Sequence, residues 1–161
     1  PGTSLQARHQ EERLRASIGD GSEGIWRAEI ATGGIPIDAP VDEQVQAMFE
    51  HGYLSECNDV MARMYGFDHA GELRGVRVGE LLPASKPENV EYLRAFVRSG
   101  YHLRDEESIE IDRHGQERHF LNNLVGVVEE GLLLRAWGTQ RDITALRQAE
   151  AALRESEASF R

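Results

Sequence analysis

Side chains that could orient a small ligand occur at two places in the second half of the sequence. Asn122 and Asn123 interrupt the otherwise apolar segment FLNNLVGVV, and Gln140 lies near the end of the next apolar segment. If these segments are strands, side chains alternate between two faces, and one of the two asparagines must point inward. A buried amide needs hydrogen-bonding partners, which are either a ligand or the domain's own backbone groups and solvent.

Apolar residues that could line a pocket beside these amides lie on two predicted helices. Met61, Met64 and Tyr65 share one face of a short helix, and Phe96 belongs to a longer one. Methionines at this spacing more often belong to a core than to a ligand wall.

The segment that contains Gln140 predicts room for a ligand. If Gln140 faces inward, strict alternation also turns Leu134, Ala136 and Gly138 inward, and the two small residues leave space. The predicted pocket therefore lies between the inner face of a sheet and the helices.

The sequence carries no recognisable catalytic or metal-binding pattern. His114 and His119 straddle a predicted turn without the spacing of a ligand pair, and the other four histidines are scattered. The sequence shows no Ser/His/Asp arrangement, no nucleotide-binding glycine loop and no kinase catalytic sequence. Neither a metal site nor catalysis by this chain is expected.

Composition narrows the choice of partners and compartment. The formal net charge of −10 over 161 residues disfavours nucleic acid. Cys57, the only cysteine, excludes an internal disulfide and fits a reducing compartment, so a cytoplasmic location is expected. No apolar run approaches the roughly 18 residues of a membrane helix, so insertion into a membrane is not expected. Because the sequence begins at Pro1 and ends within a helical pattern at Arg161, it is expected to be a piece of a longer protein.

The hydrophobic patterns predict one α+β domain between two helices. Residues 1–20 form a charged flanking helix, residues 21–144 the domain, and residues 145–161 a C-terminal helix. In the domain, two short strands precede several short helices, one long helix and three strands joined by tight turns. An insertion at about residues 32–51 separates the first two strands. It begins as a loop and becomes helical at about Pro40. This order is typical of a single antiparallel sheet with helices on one face.

Two helix starts are predicted from capping residues. Asn58 is a good N-cap for the short helix that contains Met61. Ser85 and Glu88 have the spacing of a capping box at the start of the long helix, which Gly100 ends.

Three segments of the sequence, in this order, resemble the PAS domain family. ECNDVMARMYGF is similar to the family's second strand and the Asn-capped helix that follows it, GELRGVRVGELLP to the next helical segment, and GTQRDIT to the Asp-Ile-Thr that ends the last strand. The resemblance covers about Glu23 to Thr144. It implies a five-stranded antiparallel sheet with short helices on one face, and a sensory module rather than an enzyme.

The resemblance also bears on cofactors. Photosensory flavin members carry a reactive cysteine in an Asn-Cys-Arg-Phe motif that this sequence lacks, although Gln140 and Asn123 lie where flavin-binding members also have Gln and Asn. Haem members use a histidine on the long helix, whereas His102 lies just beyond its end. Covalent flavin and haem are therefore disfavoured, and an unidentified small organic ligand remains possible.

The C-terminal segment carries an apolar stripe at alternating spacings of three and four. Its members are Leu146, Ala149, Leu153, Ser156 and Phe160. The stripe predicts a parallel coiled coil in a homodimer. The alternatives are a helix packed back on its own domain and a solvated, frayed helix.

Asp142, Ile143 and Thr144 lie where the last strand becomes this helix. They are predicted to form a hinge that transmits a signal, unless Asp142 only caps the helix.

Two functions follow from these patterns. In the first, a ligand enters the pocket and biases the hinge, which drives a downstream effector, most often a sensor histidine kinase of a two-component system. In the second, the domain is a ligand-free dimerisation module that associates through the N-terminal helix and an outer sheet face containing Trp26 or Trp137, in a cyclic-dinucleotide (GGDEF/EAL) protein for example. The segment ESEASFR resembles the start of another PAS module, so a further module in the same chain is expected.

Overall fold

A computed structural model describes residues 23–159 of the chain. The flanking helix predicted for residues 1–20 lies outside the described residues, as does Phe160. The strands are β1 (Gly24–Ile30), β2 (Ile35–Pro36), β3 (Gly52–Cys57), β4 (His102–Ile111), β5 (Glu117–Glu129) and β6 (Leu132–Asp142). The α-helices are α1 (Val41–His51), α2 (Asp59–Met64), α3 (Val78–Leu81), α4 (Pro87–Arg98) and α5 (Thr144–Ser159), with a 3₁₀ turn at Ala70–Glu72.

The strands form one antiparallel sheet in the order β3-β1-β6-β5-β4. The two-residue strand β2 pairs only with β6 and comes from the predicted insertion. Helices α1 to α4 cover one face, where the apolar side chains of strands and helices form the main core. The α+β class and the five-stranded antiparallel sheet are confirmed, with β2 as an addition.

The insertion is held in place by Gln44 of α1. Its Nε2 donates hydrogen bonds to the carbonyl oxygens of Ile37 (3.2 Å) and Ala39 (2.8 Å). Its Oε1 accepts one from the Tyr101 hydroxyl (2.7 Å), at the start of the segment that leads into β4. Because Gln44 is buried, these bonds satisfy a polar group that would otherwise destabilise the fold.

Asn58 fixes the position of α2 as the sequence predicts. Its Oδ1 accepts hydrogen bonds from the backbone N–H groups of Met61 and Ile25, both at 3.0 Å. The cap therefore joins the start of α2 to β1, and Met61 and Tyr65 point into the core.

The capping box predicted at the start of α4 is wrong. The N-cap residue is Lys86, no side chain caps the helix, and Pro87 occupies its first turn. The ring of Pro87 has a preset φ and no N–H, so it starts a helix without a capping side chain. Asn89 instead anchors α4 to β4, because its amide exchanges hydrogen bonds with the backbone of Ile109 (2.7 and 2.9 Å).

Two bulges decide which side chains face the helices. In β6 the register passes from Arg135 to Leu133, so Leu134 is an extra residue opposite no partner in β5. The bulge turns Leu133 inward, and the prediction that Leu134 faces inward is wrong. In β4 a register shift between Leu103 and Glu106 has a similar effect, with Asp105 at a positive φ of 53°.

Candidate functional site

A cavity of about 100 Å³ lies between the inner face of the sheet and helices α1 to α4. Most of its wall is apolar and aromatic. Its main apolar members are Trp26, Met61, Tyr92, Leu93, Phe96 and Leu124.

The polar part of the wall is centred on the buried carboxylate of Glu110 in β4. Its Oε1 accepts a hydrogen bond from the Tyr65 hydroxyl (2.5 Å), and its Oε2 accepts one from the Ser108 hydroxyl (2.7 Å). Tyr65 comes from the end of α2, so these bonds join a helix to the edge strand through the interior. All three side chains are buried.

The network continues to both sides of Glu110 across the sheet. The Nδ2 of Asn122 in β5 donates to the Ser108 hydroxyl (2.9 Å) and to the Glu106 carbonyl (3.1 Å). The Nε2 of Gln140 in β6 donates to the Tyr65 hydroxyl (3.2 Å). Asn122 and Gln140 are direct partners in the β5–β6 register, so the network spans three adjacent strands.

Burial shifts the titration of this network. Removal from water raises the pKa of Glu110 to about 7, although the hydrogen bonds from Tyr65 and Ser108 oppose the shift. Burial, together with the nearby Glu110 charge, raises the pKa values of Tyr65 and Tyr92 well above their ordinary range. Near neutral pH the two tyrosines are therefore neutral, and the Glu110 carboxyl group is partly protonated and partly ionised.

Trp26 brings an unpartnered donor to the cavity wall. Its side chain is 9% exposed, and its Nε1 has no hydrogen-bond partner within residues 23–159. The indole lies over Gly138, where a Cβ atom would overlap Cζ2 and Cε2 of the ring. The absence of a side chain at Gly138 is thus what admits the indole to the inner face.

Five of the seven predicted ligand-binding residues line the cavity. They are Met61, Tyr65, Phe96, Asn122 and Gln140. Met64 lies beside it, with its Sδ 3.8 Å from Gln140 Nε2. Asn123 is on the opposite face of the sheet, where its Oδ1 accepts a hydrogen bond from the Asp105 N–H (3.2 Å), so Asn123 is not part of the cavity.

Sequence reasoning missed Glu110 because alternation in β4 is misleading. In the segment SIEID, Ser108, Glu110 and Asp112 are buried, whereas Ile109 and Ile111 are only half-buried. The bulge after Leu103 determines whether the even-numbered or the odd-numbered residues of β4 face inward. Nothing in the residue pattern indicates that bulge.

Of the two tryptophans predicted as alternatives for the outer sheet face, Trp26 lies on the inner face instead. Trp137 does lie on the outer face but is only 3% exposed, with the Arg27 guanidinium 5.0 Å from the centre of its ring. Arg135 and Glu29 form an ion pair (3.0 Å) on the same face.

The junction between β6 and α5 is held to β5. The Ile143 N–H donates to the His119 carbonyl, and the His119 N–H donates to Thr144 Oγ1, both at 2.9 Å. Asp142 Oδ1 accepts from the Thr144 N–H (2.9 Å), so Asp142 does satisfy the start of the helix. Capping does not exclude a hinge, which stays a prediction.

Helix α5 leaves the domain after its first two turns. Arg147 forms an ion pair with Glu107 of β4, whereas every residue from 151 to 159 is exposed. Leu146 and Leu153 are 54% and 60% exposed, and Ala149 on the same stripe is also exposed. The alternative of a helix packed back on its own domain therefore holds only for the first two turns of α5 and not for residues 151–159.

Comparison with solved structures shows the same architecture in sensory proteins. A light-oxygen-voltage domain studied with a flavin analogue aligns with a TM-score of 0.57 and 14% identity, over 91% of this chain and 96% of that one. A sensory box histidine kinase/response regulator from Burkholderia thailandensis E264 aligns with a TM-score of 0.59 and 19% identity, over 92% and 98%. The PAS domain of a Colwellia psychrerythraea protein aligns with a TM-score of 0.54 and 17% identity, over 83% and 98%.

The chain has the PAS fold. The resemblance drawn from ECNDVMARMYGF, GELRGVRVGELLP and GTQRDIT is therefore confirmed at the level of the fold. No protein-family model matches the sequence, and no curated protein matches it.

The PAS cavity of this chain, at about 100 Å³, is smaller than the apolar cavity of about 150 Å³ that takes up one benzene ring. Cys57 lies at the end of β3 outside the cavity wall, and burial raises the pKa of its thiol to about 11. A neutral thiol is a poor nucleophile.

The described part of the chain lacks the side-chain groupings of a metal site and the long apolar helices of a membrane protein. Residues 23–159 contain no group of three or more His, Cys, Asp or Glu side chains placed to hold a metal ion. Over the same residues, no helix has the length and apolar character needed to cross a membrane.

Proposed function

We propose that this domain is a sensory module in which a small ligand enters the PAS cavity and changes the state of the β6–α5 junction. The observation that carries the proposal is the position of Gln140. Its side chain is part of the buried network, and two residues later on the same strand Asp142 satisfies the first N–H of α5. A change at the cavity wall therefore has a direct covalent route to the output helix.

The hydrogen bond between Gln140 and Tyr65 is the step that a ligand would alter. A ligand that bonds to the Tyr65 hydroxyl competes with Gln140 directly, and one that bonds to Glu110 competes with the Tyr65 hydroxyl that Gln140 contacts. Release of Gln140 would free β6 to move against β5, where His119 holds the junction. Each of these bonds contributes only about 1 kcal/mol, so a modest difference in ligand affinity between two states is enough to shift the equilibrium.

A second route to the junction runs through Phe120. This buried residue is the register partner of Asp142, and its ring centre lies 5.2 Å from that of Tyr65. Displacement of Tyr65 would thus press on the strand that anchors the junction.

The output of the module is proposed to be a sensor histidine kinase of a two-component system, or a further PAS module in the same chain, acting in the cytoplasm. The structural likeness to the sensory box histidine kinase/response regulator supports this assignment. In this scheme the domain does no catalysis of its own, and α5 carries the signal.

A homodimer is proposed as the signalling unit, with α5 of two copies paired as a parallel coiled coil. Its support is the exposed stripe of Leu146, Ala149 and Leu153 on a helix that leaves the domain. The same stripe is the observation that favours the second candidate function, a ligand-free dimerisation module, for example in a cyclic-dinucleotide protein.

Hydrogen exchange at the junction tests the sensory proposal. Isobutanol serves as the cavity probe, with calorimetry to establish binding, and exchange is followed at the amides of residues 142–150. In the wild-type chain the probe should change exchange there. It should leave exchange unchanged in Gln140→Leu, whereas Arg141→Gln, a substitution at an exposed neighbour on the opposite face, should respond like the wild type.

A cavity-filling variant provides a second test that needs no ligand. Ala136→Val places two methyl groups into the cavity from β6 and should shift junction exchange in the same direction as the probe. If isobutanol binds, or Ala136→Val folds, with no change at residues 142–150, the cavity is not coupled to the helix and the dimerisation function is favoured.

A further inference from the structure

The carboxylate of Glu110 faces the cavity without a cation to balance it. Within residues 23–159, both of its hydrogen-bond partners are neutral hydroxyl groups, and no basic side chain pairs with it. Arg118 is its register partner in β5, but the Arg118 guanidinium pairs instead with Asp112 (3.2 Å) and lies 3.9 Å from Asp142. An ionised carboxylate buried without a counter-charge is unfavourable, so the site can be stabilised by a proton or by a positively charged ligand.

Aromatic rings form much of the remaining wall. Trp26, Tyr65, Tyr92 and Phe96 all line the cavity that Glu110 enters. The faces of such rings attract organic cations, and the attraction strengthens when water is excluded. A buried carboxylate beside aromatic rings is a combination that favours an ammonium group over a neutral or anionic one.

We propose that the cavity binds a small protonated amine, whose ammonium group pairs with the Glu110 carboxylate and whose carbon skeleton lies against the aromatic wall. The inference rests on the proposed sensory function and names its ligand class. The cavity volume of about 100 Å³, against about 150 Å³ for a cavity that holds benzene, limits the ligand to roughly four to six non-hydrogen atoms.

Binding of such a ligand depends on pH through Glu110. The ammonium group pairs with the ionised carboxylate, and the free site titrates near pH 7. The groups of other elements that face Glu110 are Tyr65 at the end of α2, Tyr92 from α4 and Arg118 from β5. Arg135 of β6 is also in the cavity lining, and its guanidinium pairs with Glu29. Tyr65 and Tyr92, whose pKa values are raised well above their ordinary range, stay neutral between pH 6 and pH 8. Affinity for the amine should therefore rise about tenfold from pH 6 to pH 8, with about half a proton released per ligand at pH 7.

Calorimetry with two matched probes tests the inference on the 161-residue chain. Isobutylamine and isobutanol have the same shape and size, but only the amine is charged, and it stays charged at both pH values. Each is titrated into the wild-type protein and into Glu110→Gln at pH 6 and pH 8. Measurements in buffers of different ionisation enthalpy give the protons released by the wild type without use of a variant.

The inference is supported if isobutylamine binds the wild type about tenfold tighter at pH 8 than at pH 6, releases a proton, and loses at least tenfold in affinity in a folded Glu110→Gln protein. Isobutanol should bind both proteins equally at both pH values. Binding of the amine that does not depend on pH and releases no proton overturns the inference.

The two proposals fail in different ways. If isobutanol binds and changes exchange at residues 142–150 while isobutylamine does not bind, the sensory function stands and the assignment to amines is wrong. If both probes bind without any change at the junction, the ligand class can still be read from the calorimetry, and it is the sensory function that fails. If neither probe binds the wild type, the amine assignment is overturned, and Ala136→Val alone decides the sensory function.

Discussion

The Tyr65 hydroxyl donates a hydrogen bond of 2.5 Å to the Glu110 carboxylate, although 45 residues separate them in the chain. The bond links the end of α2 to the edge strand β4 through the interior of the domain. It also makes Tyr65 the branch point of the network, because the same hydroxyl accepts a hydrogen bond from Gln140. Glu110 and Gln140 of β6 are therefore both hydrogen-bonded to the Tyr65 hydroxyl.

Glu110 should make the stability of the domain depend on pH. Its pKa is raised from 4.5 to about 7 in the folded state, so the stabilisation from its proton is fully present below about pH 4.5 and is lost as the pH rises through about 7. The loss amounts to up to about 3 kcal/mol in the free energy of unfolding. Urea unfolding at pH 5 and pH 8 should show this loss in the wild type and not in Glu110→Gln. Glu155→Gln, at an exposed position on α5, should keep it, and a wild-type difference equal to that of Glu110→Gln would contradict the prediction.

Gly138→Ala should destabilise the domain by about 1 to 3 kcal/mol through overpacking. The added methyl group would collide with the Trp26 indole and lie 2.9 Å from the Asn123 carbonyl oxygen. Gly71→Ala is the matched control, since a Cβ there meets nothing within 4 Å. Thermal unfolding of both variants checks the prediction, and equal midpoints would show that Trp26 has room to move.

Thr144→Val should loosen the junction between β6 and α5. The substitution removes the acceptor for the part-buried His119 N–H at nearly constant side-chain volume, at a cost of about 1 kcal/mol. Amide exchange at His119 and Thr144 should accelerate, and Thr144→Ser, which keeps the hydroxyl, should restore slow exchange. Exchange in Thr144→Val at the wild-type rate would show that this hydroxyl does not hold the junction.

Leu153→Asp should convert the proposed α5-paired homodimer to a monomer. The leucine is 60% exposed on the proposed α5 interface, and burying an aspartate there would be unfavourable. Ala151→Asp introduces the same charge at an exposed position on the other side of the helix and should leave the dimer intact. Light scattering coupled to size-exclusion chromatography measures the mass. A Leu153→Asp protein that remains dimeric would place the interface elsewhere.

The sequence was sufficient to predict the five main strands, the helices between them and part of the pocket wall. Asn58 identified the start of α2, and the helical spacing of Met61 and Tyr65 placed both side chains correctly against the sheet. Such features depend on neighbours a few residues apart, where capping and periodicity act.

The parts that could not be predicted depend on strand register. The choice between Asn122 and Asn123 turns on a one-residue difference, and only the paired strands show that Asn122 faces inward. The extra residue at Leu134 and the shift after Leu103 each move the side chains beyond them to the opposite face of the sheet from the one that strict alternation predicts. Glu110, the central acid of the cavity, was hidden by the second of these shifts.

The bulge in β4 also shapes the free margin of the sheet. β4 is a terminal strand of the sheet, and the exposed residues Arg104 to Glu107 lie at and just after its register shift. An edge strand with an irregular hydrogen-bond ladder and a row of charged side chains pairs poorly with a strand of another molecule. Edge-to-edge pairing of two sheets is therefore disfavoured at β4. This disfavours aggregation through the β4 edge. Association of two domains would then depend on contacts between side chains and not on backbone pairing.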